Sequence, residues 1–170
     1  MLKEKIQKEL NKQINEELYS AYIYLAMNAY FESLNLKGFA NWMRIQVQEE
    51  LVHVMKFYDF IVERGGRVRL DKVEKPPVEW KSPIDAFEAA YAHEQHITER
   101  INTLVNLAIE EKDHATNAML QWFVTEQVEE EATASDIVAR LELAGDSRGG
   151  LFMLDNELKA RVFTPPPTTK

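Results

Sequence analysis

Four long stretches of this chain carry apolar residues at spacings of three and four, and each stripe is broken near its middle by a carboxylate. Such spacing marks one buried face of an α-helix. The first stripe runs Ile6, Leu10, Ile14, Glu17, Ala21, Tyr24, and the second Phe39, Met43, Gln46, Glu50, His53, Phe57, Phe60. The third runs Phe87, Ala90, Glu94, Ile97, Ile101, Leu104, and the fourth Leu120, Phe123, Gln127, Glu130, Ala134, Ile137, Leu141. Any fold for this chain must bury the four faces together and accommodate what interrupts them.

Glycine and proline cluster at Gly65-Gly66, Pro76-Pro77, Pro83, Gly145, Gly149-Gly150 and Pro165-Pro166-Pro167, which punctuate an otherwise helical pattern. The pattern predicts helices at about 5–34, 37–64, 84–111 and 114–144, and a shorter fifth at about 150–160 carrying Leu151, Leu154 and Leu158. Short links around Asn35 to Gly38 and at Lys112-Asp113 make the first and last pairs antiparallel neighbours. Between helices two and three lie about 19 residues, too many for a compact turn. A helix of about 28 residues is roughly 42 Å long, and about 15 extended residues cover that distance. The expected fold is therefore all-α: a four-helix bundle with a long crossover that makes helices two and three parallel, plus a short C-terminal fifth helix. Residues 1–162 form one domain, and the Pro- and Thr-rich stretch 163–170 is a tail.

In a bundle of near-equal helices the interruptions fall at one height and face one axis. Burying a single unpaired carboxylate costs several kcal/mol, and four together repel one another. No lysine or arginine occupies the four stripes, so metal ions are the remaining compensation. Glu17, Glu50, Glu94 and Glu130 supply the charge that two divalent cations need. Glu50 and His53, three residues apart, share one helix face and can reach one ion. A carboxylate-rich set with little nitrogen favours iron(II) or manganese over copper. Oxidising both ions adds two positive charges, which a bridging oxo group would neutralise, so oxygen- or peroxide-dependent oxidation is the chemistry expected.

The bulk properties remove competing classes. A formal net charge of −8 argues against nucleic acid or an anionic membrane as partner. The absence of cysteine excludes disulfides, iron–sulfur clusters and thiol catalysis. The first residues are charged and carry no signal-peptide pattern, and no apolar stretch is long enough to span a bilayer, which gives a cytoplasmic expectation.

Glu17, the run Gln48-Glu49-Glu50-Leu51-Val52-His53, Glu94 and the run Glu126-Gln127-Val128-Glu129-Glu130 resemble the ferroxidase motifs of prokaryotic non-haem ferritins, and the match covers nearly the whole chain. The ferritin-like di-iron bundle is also a known topology of this kind. The resemblance implies that Glu17, Glu50 and His53 hold one iron, and that Glu50, Glu94 and Glu130 hold the second with Gln127 alongside. It implies a third iron site on Glu49, Glu126, Glu129 and Glu130, for which a partly solvated acidic face is the alternative. Tyr24 resembles the tyrosine beside the ferritin centre that donates a hydrogen bond or an electron, with core packing as the alternative. Trp122 matches an aromatic near the site, again with packing as the simpler reading. The activity implied is Fe(II) oxidation by O2 or H2O2, with ferric mineral stored inside a homo-oligomeric cage of twenty-four subunits.

Departures from neighbouring families sharpen the expectation. A second Glu-x-x-His on helix four, found in bacterioferritins and many di-iron oxygenases, is here Gln127-x-x-Glu130. Leu51 stands where bacterioferritins carry the haem-ligating Met, so no haem is expected. A solitary di-iron enzyme and a metal-free helical scaffold are the rival readings. The first usually needs the second Glu-x-x-His, and the second leaves the buried carboxylates unexplained. His93-Glu94-Gln95-His96 lacks the zinc-protease spacing, and both histidines are expected to be exposed, as is His114. Arg64, Arg67 and Arg69 around Gly65-Gly66 fit no phosphate-binding pattern, and the glycines read as a helix C-cap.

Overall fold

A computed structural model describes residues 1–165; residues 166–170, part of the expected tail, lie outside the described residues. Five helices account for the regular structure: α1 (Glu4–Ser33), α2 (Lys37–Glu63), α3 (Pro83–Glu110), α4 (His114–Ala144) and α5 (Arg148–Leu158). No strand occurs among the described residues. The four long helices match the expected segments to within a residue at either end. The fifth begins two residues earlier than expected, because Ser147 caps it by accepting from Gly150 N at 3.1 Å.

The core is divided in two. One apolar cluster joins Met27 and Phe31 of α1, Phe39 and Met43 of α2, Phe87 of α3 and Leu141 of α4. The other joins Leu10 and Ile14 of α1, Phe57 of α2, Ile101 of α3, and Leu120 and Phe123 of α4. Helices α1 and α4 run from the second cluster to the first, and α2 and α3 run the opposite way, so the parallel pairing of α2 with α3 follows directly. The polar interruptions of all four stripes lie between the two clusters.

The crossover spans the whole bundle, as its length demands. It leaves α2 through Gly65, whose φ of +70° suits glycine, and the amides of Gly65 and Gly66 return to the carbonyls of Val62 and Ile61. It then runs along α1, held by amide side chains one helical turn apart. Gln7 Oε1 accepts from Arg67 N at 2.8 Å, Asn11 Oδ1 from Arg69 N at 2.6 Å, and Asn15 Nδ2 donates to Lys72 O at 3.1 Å. Val68 packs against the second cluster and Trp80 against the first, so the segment passes from one end of the bundle to the other. The Arg64 guanidinium bonds both oxygens of Asp113 at 3.0 Å, tying the end of α2 to the α3–α4 turn.

α5 docks on the start of α2 through one buried carboxylate. Leu36 offers that helix no side-chain cap, and Asp155 of α5 replaces it by accepting from Gly38 N at 2.7 Å and Phe39 N at 3.2 Å. A Cβ on Gly38 would lie 1.6 Å from the Asp155 carbonyl oxygen, so only glycine allows this approach. Leu154 and Leu158 complete the first cluster. None of the described helices is long and apolar enough to cross a membrane.

Candidate metal centre

Every residue that interrupts a stripe is buried, from Glu17 at 0% exposure to Glu130 at 8%. Glu17, Glu50 and His53 form the tightest group, each offering a donor atom within 4.8 Å of the others. His53 Nδ1 lies 3.2 Å from Glu50 Oε2 and 3.9 Å from Glu17 Oε2. The edges of Trp122 and Phe123 fix the imidazole, with ring centroids 5.5 and 5.7 Å away. Trp122 therefore combines packing with a place beside the site.

Glu94 and Glu130 are drawn toward neutral donors instead. The Tyr24 hydroxyl donates to Glu94 Oε1, and Gln127 Nε2 donates to Glu94 Oε2 at 3.1 Å. Gln46 Nε2 donates to Glu130 Oε2 at 2.9 Å, and Gln13 Nε2 to Glu17 Oε1 at 2.9 Å. Gln13 and Gln46 are the supporting residues that the stripes alone did not assign. Their signal was a neutral amide in a fully buried position, one helical turn from a carboxylate in each case.

The electrostatics are those of a cation site. Burial, then the charge of Glu50, pushes Glu17 up to about 8. Burial, then Glu130, pushes Glu94 up to about 8. Burial with Glu94 and Glu130 raises Glu50 well above the ordinary carboxylate range. Burial and the adjoining Glu94 also raise Tyr24, which keeps its hydroxyl proton available for donation. Among the described residues no lysine or arginine pairs with Glu17, Glu50, Glu94 or Glu130; His53 is the basic partner of Glu17 and Glu50. Three buried oxygens of this layer, Gln13 Oε1, Glu17 Oε2 and Gln46 Oε1, have no hydrogen-bond partner. Orphaned acceptors and like-charged buried carboxylates are what a hard or borderline divalent cation would satisfy, so the donor set fits iron.

A second acidic group opens beside this layer. Glu49, Glu126, Glu129 and Glu130 line one cavity of about 410 Å³, which His53 also reaches. Glu49 and Glu126 are half-buried, whereas Glu129 is exposed, so part of the acidic run is a solvated face. Burial is the leading cause of the upward shift of Glu49, to about 7, and of the rise at Glu126. Arg161 Nη2 pairs with Glu49 Oε2 at 2.7 Å.

The expectation for His93 is corrected. It is half-buried, 2.8 Å from Ser20 Oγ, and its ring lies against the edges of Tyr19 and Tyr24. Burial lowers its pKa to about 4, so it is a neutral packing residue behind Tyr24. His96 and His114 are exposed as expected.

A helical bundle split by a buried carboxylate–histidine layer defines the ferritin-like class of proteins. The family profile for ferritin, described as a ferritin-like domain, matches residues 7–144. The bacterial non-heme ferritin of Bacteroides fragilis is 44% identical over 161 residues, 95% of this chain and 100% of its own. An engineered closed form of the Archaeoglobus fulgidus ferritin is 57% identical, with a TM-score of 0.95 over 96% of this chain and 100% of that chain. A humanized archaeal ferritin is 56% identical, with a TM-score of 0.96 over 97% and 100%. The chain belongs to the ferritin family.

Proposed function

We propose that this chain is a non-haem iron-storage ferritin that oxidises Fe(II) at a two-iron centre within the subunit. The observation carrying this reading is the buried layer itself: four carboxylates and His53 share one level, with orphaned oxygens and, among the described residues, no lysine or arginine in an ion pair with them. In this reading Glu17, Glu50 and His53 hold one iron, Glu50, Glu94 and Glu130 hold the second, and Gln127 steadies Glu94. Four carboxylate charges balance two ferrous ions, and His53 ligates as the neutral imidazole.

The protein's part in the chemistry is to neutralise, space and desolvate its substrates. Two ferrous ions lose one electron each, and the pair passes two electrons to O2 or H2O2. With H2O2 the products are two ferric ions and, after two protons are taken up, two waters. Tyr24 orients Glu94 through its hydroxyl. Gln13 and Gln46 hold Glu17 and Glu130 in place before metal arrives, as supporting donors do around metal ligands generally. The outer set of Glu49, Glu126, Glu129 and Glu130 is a third iron position.

Storage requires an enclosed volume, and a homo-oligomeric cage of twenty-four subunits in the cytoplasm completes the proposal. The test is aerobic loading with ferrous iron well beyond three ions per chain, followed by size-exclusion chromatography with detection of protein and iron. Iron that co-elutes with protein at cage mass supports storage. Iron that precipitates, with protein eluting as monomer or dimer, leaves at most a solitary oxidase.

A further inference from the structure

Beyond α5 the chain turns back over the outer acidic cavity, and Arg161, Val162, Phe163 and Thr164 form part of its wall. Arg161 is the fixed point of this segment. Its Nη2 donates to Glu49 Oε2 at 2.7 Å, and its Nη1 donates to the Trp42 carbonyl at 3.2 Å. The guanidinium carbon lies 4.6 Å from the centroid of the Trp42 ring, which is 2% exposed. Asn41 Nδ2 donates to the Arg161 carbonyl at 3.0 Å, holding the backbone as well. Side chain and main chain are thus both anchored on α2, at Asn41 and Trp42 and, two turns further on, at Glu49.

Among the described residues Arg161 is the one lysine or arginine in an ion pair with any of the acidic residues of the two sets. It uses an oxygen of Glu49 that a metal ion at this position would also use. A guanidinium bonded to a carboxylate and a divalent cation coordinated by it are rivals for the same lone pairs and the same negative charge.

Resting on the reading of the outer cavity as an iron position, we propose that Arg161 is a built-in competitor for that position: it neutralises Glu49 until a divalent ion displaces it. Arg161 acts on the metal through Glu49 and is a positioning residue. The outer position then binds metal more weakly than the buried pair and fills after it. Because α5 tethers the arginine close by, its return is an intramolecular step that favours release of the ion.

The experiment is calorimetric titration of the assembled full-length protein with Zn2+, a divalent probe without redox chemistry, under matched pH and salt. Arg161→Gln, Arg161→Lys, Glu49→Gln and Glu49→Gln/Arg161→Gln are compared with the native chain after thermal melts confirm folding. The expected result is that Arg161→Gln tightens the last-filled position by up to about tenfold, or roughly 1.4 kcal/mol. The two tighter positions stay unchanged. Arg161→Lys keeps the charge and restores most of the weak native binding, and Arg161→Gln has no effect once Glu49 is Gln. Equal or weaker outer binding in Arg161→Gln overturns the proposal and leaves Arg161 as a peg for the tail. Two ions per chain in both native and Arg161→Gln protein also overturns it, by removing the outer position while the buried pair stands. No tight binding at all overturns the two-iron reading together with this one.

Discussion

The Gln46 amide on α2 donates to a carboxylate oxygen of Glu130 on α4 at 2.9 Å, inside the buried layer that separates the two halves of the core. A neutral donor can hold a carboxylate in place without supplying the charge that the metal is to supply. Gln46→Leu keeps a buried side chain of similar size but removes the amide, releasing Glu130. Affinity for the second iron is expected to fall by about tenfold, the lower end of what losing such a supporting partner costs. Stepwise ferrous titration under anaerobic conditions checks this, and unchanged affinity would make Gln46 a packing residue.

Tyr24 holds Glu94 in the same manner, with its ring fully buried. Tyr24→Phe removes the hydroxyl and almost no volume. The metal-free protein should lose about 1–2 kcal/mol in denaturant unfolding, from one buried hydrogen bond. Iron oxidation should slow while two-iron binding persists. An oxidation rate equal to that of the native chain would confine Tyr24 to packing.

The buried carboxylates make stability depend on pH in a particular direction. Glu17 and Glu94 rise from an ordinary 4.5 to about 8 on folding. Between those values the folded protein binds more protons than the unfolded chain, so metal-free stability falls as pH rises from about 4.5 to 8. Below that window the contribution is fully present. Divalent metal should reverse the trend, because ligation replaces the protons with a charge the site accepts. Thermal melts at pH 6 and pH 8, with and without Zn2+, test the sign. Stability of the metal-free protein that rises through this window would contradict the assigned burial effect.

Gly38 carries the docking of α5. Gly38→Ala places a methyl group against the Asp155 backbone, and overpacking of this kind costs about 1–3 kcal/mol. The variant should melt earlier and lose the Asp155 cap on α2, while iron binding at the distant layer persists. A melting temperature identical to the native one would show that α5 can shift without penalty.

Much of this architecture was legible in the chain because helical periodicity reports which face is buried. Glu17, Glu50, His53, Glu94, Gln127 and Glu130 broke apolar stripes, and all six are buried in one layer. The crossover was readable from length alone. Periodicity does not report which distant residue meets a given face. Arg161 reaches Glu49 across 112 positions, and Asp155 caps a helix 117 positions earlier. The amides of Gln7, Asn11 and Asn15, spaced at one turn, were a missed signal that the crossover lies along α1. Nor does periodicity resolve His93, which sits at the edge of its stripe, where a small rotation of the helix decides between solvent and the Tyr19–Tyr24 edge.

Iron oxidation at the buried layer is tested most directly by anaerobic ferrous titration followed by oxygen exposure, comparing the native chain with Glu50→Ala/His53→Ala. Two or three ferrous ions are expected to bind per native chain, with rapid oxidation that the double variant loses. Equal oxidation by both proteins, or no stoichiometric binding by the native chain, would contradict it.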